Sequence, residues 1–443
     1  LVGGDWQGSG TLRQATTVAM SADSTIDASA TDVGNGGKVV LWSDVHNASS
    51  VTTVNGMINA KGGVNGGDGG QVETSGHVLN VDGITVSTKT TLGKDGLWLL
   101  DPYDLWIRDP SWTGYNYSES GTTTYTARQA TLSGEVKVSG AATTSYGGGT
   151  SSLRTDTIVN ALANGNVTVL ASGLIDASGW SAQGTANYYI NSNSSNKLSL
   201  QAGDSIWIAD KINLPSGTLE LLAGTTVTQA ASASITASTL ILGKSNVSGA
   251  NSYATPPTVD LTAASNSIAN LQGSNLSSLS FSNTKSFAVN ANGISSTGAV
   301  TLKSTGDISL NGALTTTAST GHISLIADTE KDGAGVVIVS SNITTSGGNL
   351  SFGDGSTINF GGVTTQVGGD VYVQGSSMVT WSTGGGRITV NGQTLIGNSQ
   401  GLSVNSGGGN ITFNGSIDSA NQYTGVYVSA GINWDTALSQ AKS

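Results

Sequence analysis

An all-β chain wound into a parallel β-helix is what this sequence predicts, on three observations. The first is a recurring phrase: a glycine, a polar residue, a β-branched residue, a polar or small residue and a second large apolar residue, then a turn. It reads Gly165-Asn166-Val167-Thr168-Val169, Gly306-Asp307-Ile308-Ser309-Leu310, Gly321-His322-Ile323-Ser324-Leu325, Gly369-Asp370-Val371-Tyr372-Val373, Gly386-Arg387-Ile388-Thr389-Val390 and Gly409-Asn410-Ile411-Thr412-Phe413. Gly203-Asp204-Ser205-Ile206-Trp207-Ile208 is the same phrase with one residue inserted. Strands this short cannot bury their apolar face alone, and stacking the copies closes a shared interior. The second observation is spacing. Leu198-x-Leu200-x-Ala202, Leu219-x-Leu221-x-Ala223 and Leu240-x-Leu242 recur every 21 residues, close to one three-walled turn. The third is composition: glycine is 63 of 443 residues, charge only 10%, and the 37% hydrophobic content falls at period two. That mixture suits many short strands joined by tight turns and is too apolar for a disordered chain.

Taken in order, residues 1–96 hold an imperfect repeat. One copy runs from Ile26-Asp27-Ala28-Ser29 to Gly36-Gly37-Lys38-Val39-Val40-Leu41-Trp42, the next from Ile58-Asn59-Ala60-Lys61 to Gly69-Gly70-Gln71-Val72-Glu73. The offset of 33 residues from Gly36 to Gly69 predicts more than one wall plus a glycine-rich turn in each copy. Residues 97–150 break the pattern with crowded aromatics and with Pro102 and Pro110, which do not belong in a central strand. They are expected to form an aromatic-rich excursion. A short helix is predicted over 155–163, which has a capping residue, apolar positions at helical spacing and Gly165 as its stop. Coils are expected again over 151–425, looser between 244 and 297, and residues 426–443, where the spacing turns helical, are expected to begin a following unit.

The net charge of −11, from 28 acids against 17 bases without a basic cluster, argues against nucleic acid as a partner. No run of eighteen apolar residues predicts insertion in a membrane. The chain has no cysteine, which removes thiolate metal sites, thiol nucleophiles and disulfides together and suits a secreted protein that crosses an oxidising compartment unfolded. The start at Leu1-Val2-Gly3-Gly4-Asp5 is read as that of an excised piece.

Five segments together resemble one family: Val2-Gly3-Gly4-Asp5-Trp6-Gln7-Gly8-Ser9-Gly10, Ile26-Asp27-Ala28-Ser29-Ala30, Gly36-Gly37-Lys38-Val39-Val40-Leu41-Trp42-Ser43-Asp44, Gly69-Gly70-Gln71-Val72-Glu73-Thr74-Ser75-Gly76 and Gly96-Leu97-Trp98-Leu99-Leu100-Asp101-Pro102-Tyr103-Asp104. They are similar to the segment that follows the secretion domain in large two-partner secretion exoproteins of Gram-negative bacteria, the group of filamentous haemagglutinin and the high-molecular-weight adhesins. The match is dense over 1–104 and compositional from 150 to 420. The resemblance implies a right-handed parallel β-helix, export through an outer-membrane transporter barrel, a place outside the cell or on its surface, and adhesion to host cells or biofilm matrix. The family's secretion domain carries Asn-Pro motifs and this chain has none, which puts that signal elsewhere in the parent. Members also include haemolysins and toxin-delivery stalks, so the shared segment speaks for the export route more than for the activity.

Candidate sites follow from these readings. Flat indole and phenol faces stack on sugar rings, so Trp106, Trp112, Tyr115 and Tyr117 are the candidate glycan-binding residues. Trp98, Asp101, Pro102, Tyr103 and Asp104 carry the family phrase and are assigned a structural role. Asn65-Gly66-Gly67-Asp68-Gly69-Gly70 resembles one copy of a calcium-binding nonapeptide, but without tandem copies it is read as a glycine turn, and no metal or cofactor is expected. Asn-x-Ser/Thr sequons stand at Asn47, Asn116, Asn166, Asn193, Asn246, Asn275, Asn342, Asn349, Asn410 and Asn414, and similar adhesins are glycosylated at such asparagines. Polysaccharide lyases and hydrolases also use β-helices, with clustered carboxylates and a base. Here the acids are mostly single turn residues and His46, His77 and His322 are isolated, so no catalysis is expected. Trp434-Asp435-Thr436-Ala437-Leu438-Ser439-Gln440-Ala441 is similar to the first helix of C-type-lectin-like domains. The expected reading is a monomeric adhesin whose coils display loops to a glycan or host-cell receptor; a carbohydrate-active enzyme and a passive stalk for a downstream lectin or toxin module are the alternatives.

Overall fold

The computed structural model describes residues 1–108, 151–177, 190–247, 255–263, 265–327, 329–330, 335–346, 348, 350–352 and, beyond these, the strands between 357 and 429. The chain forms two compact units, one of residues 1–213 with 246–252 and one of 214–245 with 253–443. Both are built of parallel strands stacked coil on coil, so the fold is an all-β parallel β-helix.

In the first unit a coil runs through β1 (Thr17–Met20), β2 (Thr25–Asp27) and β3 (Lys38–Trp42). The next coils repeat it as β4 (Val51–Val54), β5 (Gly56–Asn59), β6 (Gln71–Ser75), then β7 (Val78–Asn80), β8 (Ile84–Ser87), β9 (Leu97–Asp101). β1, β4 and β7 pair as a first wall, β2, β5 and β8 as a second, β3, β6 and β9 as a third, all parallel. Lys38 lies opposite Gln71, so the 33-residue repeat is one whole turn with all three walls. Alternation decides what is buried. Val39, Val72 and Trp98 share one inward column, and Leu41, Thr74 and Leu100 the next. Burying each large aliphatic side chain contributes roughly 1.5–3 kcal/mol. Trp98, 2% exposed, donates its indole N–H to the Thr74 hydroxyl at 3.1 Å, which satisfies the only polar atom it brings inside.

The expected excursion over 97–150 starts later than its aromatics suggest. β9 pairs with β6 along its whole length, and β10 (Leu105–Arg108) also belongs to the ladder. The proline between them, Pro102, sits at the corner where the chain turns from third wall to first, needing no ladder hydrogen bond there. β11 (Ser151–Arg154) then enters the first wall between β7 and β10, so this wall reads β7, β11, β10, out of chain order. Residues 109–150, which connect them, lie outside the described residues.

The short helix is α1 (Thr155–Leu162). It buries Ile158, Ala161 and Leu162 on one face and carries Asp156 in its first turn, where the helix dipole favours an acid. Arg154 rather than Thr155 holds the cap position, and no side-chain capping bond forms. α1 packs against β8 and against β14 (Ile190–Asn191), in the second wall's place. The third wall takes no extra strand at this level, since β12 (Asn166–Ala171) pairs directly with β9. Regular coils resume with β12 on β9, β13 (Ile175–Ala177) on β10, β15 (Lys197–Ala202) on β12 and β16 (Ser205–Ile208) on β13.

In the second unit one wall stacks nine strands in sequence order: Thr226–Gln229, Thr258–Leu261, Ser278–Asn283, Val300–Ser304, Ile323–Ile326, Leu350–Phe352, Val371–Val373, Thr394–Ile396 and Ile417–Ser419. Val259, Leu279, Phe281, Val300, Leu302, Ile323 and Leu325 fill its interior. At the corners Asn266 and Asn283 turn inward and accept the Ile235 and Ile268 N–H groups at 2.9 and 2.8 Å, so backbone that leaves the ladder stays bonded. The stretch 244–297, expected to be loose, holds Ser267–Leu276, Ser278–Asn283 and Phe287–Ser296 as strands. Val426–Ser429 still pairs with Leu402–Asn405, so coils reach past the expected boundary at 426. Residues 430–443, with the lectin-like phrase, lie outside the described residues.

Candidate functional site

On the first wall of the first unit, alternation puts Leu105 and Ile107 inside and Trp106 outside. Trp106 is 36% exposed, the one described aromatic among the exposed large hydrophobic residues. Strand register builds a column around it: Asn80, Ser152, Trp106, Asp176 and Trp207 occupy equivalent outward positions on β7, β11, β10, β13 and β16. Trp207 is half-buried between inward Ile206 and Ile208. The neighbouring outward column holds Arg154 opposite Arg108. Arg108 donates to the Asp82 carboxylate at 2.6 Å and to the Ser152 hydroxyl at 3.0 Å, and Arg154 pairs with Asp156. The result is a face that carries two indoles, hydroxyls and carboxylates. Trp112, Tyr115 and Tyr117 lie outside the described residues. Trp207 is not among the candidate residues read from the sequence, although an aromatic in the polar slot of the recurring phrase was the signal for it.

The segment from Trp98 to Asp104 packs and bonds within the coils. Trp98 fills the core and Pro102 is buried at the corner. Tyr103 stacks on His77 with centroids 4.7 Å apart. Asp104 accepts the Leu174 N–H at 2.8 Å, and Gly173 leaves room for that carboxylate: a Cβ there would stand 2.0 Å from Asp104 Oδ1. Burial raises the Asp104 pKa, opposed by that N–H and by His77.

The third wall hides two acids on its outward side. Glu73 is fully buried and Asp101 nearly so. A strap formed by residues 5–14 covers the first of them. Its Gln7 N–H lies 2.9 and 3.1 Å from the two Glu73 carboxylate oxygens, and the Ser75 hydroxyl donates to the same group at 3.0 Å. Trp6 packs on Val40, Trp42 and Val45, the Lys38 ammonium sits 4.6 Å from the Trp6 ring, and the Gln14 amide oxygen accepts the Trp42 indole N–H. Burial pushes the Glu73 pKa up to about 7, against the hydrogen bonds from Gln7 and Ser75 and the charge of Lys38. Burial, and then the Glu73 charge, push Asp101 up to about 8. The pair resembles a catalytic dyad in its pKa values alone, since both carboxylates are shielded from any substrate.

Among the described residues no group of three His, Cys, Asp or Glu is placed to hold a metal. In the glycine turn, Asn35 Oδ1 accepts the Asp68 N–H and Asp68 Oδ1 accepts the Lys94 N–H, so these side chains link successive coils. Of the sequon asparagines, Asn193, Asn246, Asn275 and Asn342 are exposed, and Asn47 is half-buried with its side chain closing a turn onto Ser49. Asn166 is tied into the ladder, donating to Asp95 and Gly96 and accepting from Lys197. Asn116, Asn349, Asn410 and Asn414 lie outside the described residues. No family model matches the chain, and no curated protein matches it.

Proposed function

We propose that this chain is the β-helical scaffold of a secreted bacterial adhesin, exported by the two-partner route, and that it attaches to glycans of host cells or of a biofilm matrix. The observation that carries the reading is the outward column around Trp106, an indole held in solvent by a strand whose neighbours Leu105 and Ile107 are locked in the core. A stacked ladder is stiff and holds such a face at fixed geometry, which suits attachment better than turnover. The test is adhesion of the whole purified chain to cultured cells and to biofilm matrix, with Trp106→Ala alongside. Binding that Trp106→Ala reduces at least tenfold supports the reading. A chain that binds neither surface acts as a passive stalk, and one that shortens a polysaccharide is an enzyme; either result overturns it.

A further inference from the structure

We propose that the first-wall face binds an extended, neutral, β-1,4-linked polysaccharide lying across successive strands, with Trp106 and Trp207 each stacking on a sugar ring; this rests on the adhesin reading above. The register places the two indoles in one column with Asp176 between them, two strand steps apart. At about 4.8 Å per step the separation is roughly 10 Å. Sugars that alternate their faces along a β-1,4-linked chain return to the same orientation every second residue, over a similar length. Two indoles at this interval therefore meet equivalent faces of two rings, with the half-buried Asp176 at the position between them. An α-1,4-linked chain coils and cannot lie flat over both rings.

Charge selects a neutral ligand. The chain carries −11 overall, and the arginines beside the column already pair with acids, Arg108 with Asp82 and Arg154 with Asp156. A uronate or sulfated chain would have to break those pairs and approach Asp176, so a polyanion is disfavoured.

The experiment is calorimetric titration of the whole chain with cellohexaose, mannohexaose, maltohexaose and polygalacturonate, with cell and matrix adhesion measured on the same preparations. The expected result is binding of at least one β-1,4-linked hexasaccharide, at least tenfold weaker binding of its disaccharide, none of maltohexaose or polygalacturonate, and at least tenfold loss on Trp106→Ala and on Trp207→Ala. Phe at either position keeps a ring and restores most of the affinity, which separates stacking from a folding defect. Absence of β-1,4 binding, or binding that ignores both tryptophans, overturns the proposal. If adhesion persists in that case the adhesin reading stands without this ligand; if adhesion is absent too, both fall. Polygalacturonate binding that depends on Trp106 overturns the neutral class alone.

Discussion

Within the first unit, the first and third walls treat their outward faces in opposite ways. On the third wall Val40, Trp42, Glu73, Leu99 and Asp101 point away from the core and are nevertheless buried, whereas on the first wall Asn80 and Trp106 are exposed. The strands are alike in being short and parallel, but the third wall reads apolar on both faces in Val39–Trp42 and Leu97–Leu100, whereas Leu105–Arg108 on the first wall alternates. Part of the difference lies on top, since residues 5–14 cross β3 and β6 and bond to Glu73 and Trp42. An outward residue in a β-helix is therefore a surface residue only until another segment covers it, and the open wall is the one that can meet a partner.

The sharpest way to test the comparison is to remove one tryptophan from each environment. Trp98→Ala empties the core and leaves Thr74 without its indole partner, an expected loss of about 3–5 kcal/mol in the unfolding of the first unit. Trp106→Ala, on the open face, is expected to change the same denaturation midpoint by no more than about 0.5 kcal/mol. Equal effects would erase the distinction between the faces.

The covered acids give a smaller effect with a definite sign. Both pKa values are raised in the folded chain, so their contribution is complete in acid and declines as pH rises, from the ordinary 4.5 to about 7 for Glu73 and from 3.8 to about 8 for Asp101. Thermal melts are expected to show lower stability at pH 8 than at pH 5. Glu73→Gln keeps the acceptor for Gln7 and removes the charge, so it raises the midpoint at pH 8 and flattens the profile. A profile that climbs toward pH 8 in the native chain contradicts the burial of this pair. A small effect is also expected for Asp82→Asn, which breaks the partly exposed pair with Arg108 and costs at most about 1 kcal/mol in a denaturation midpoint.

Much of this could be read from the residues. The glycine-led phrase marks true strands at Ile308–Leu310, Val371–Val373 and Ile411–Phe413, because period two in so short a segment admits little else. Leu198, Leu200 and Ala202 are buried, as their alternation required. The covering of Glu73 was not legible: alternation places it outward, and only the strap of residues 5–14, whose Gln7 lies 66 positions earlier, buries it. The place of Ser151–Arg154 was hidden for a related reason. Its inward Leu153 announces a strand, but which neighbours a strand takes is set by pairing with β7 and β10 across long stretches of chain, which no local pattern records. Of the candidate face, Trp106 could be picked out in the sequence, while Trp207 joins its column only when register aligns strands about a hundred residues apart.

The position of β11 between β7 and β10 has a consequence in time. A ladder that grows from its amino end adds each strand as it emerges, yet here the berth beside β7 belongs to a strand made after β10. Either assembly halts until residues 151–154 arrive, or β10 docks first on the wrong neighbour and has to yield. Both routes place a delay at this point of an otherwise sequential process, and deleting the interruption would let the coils zip without a pause.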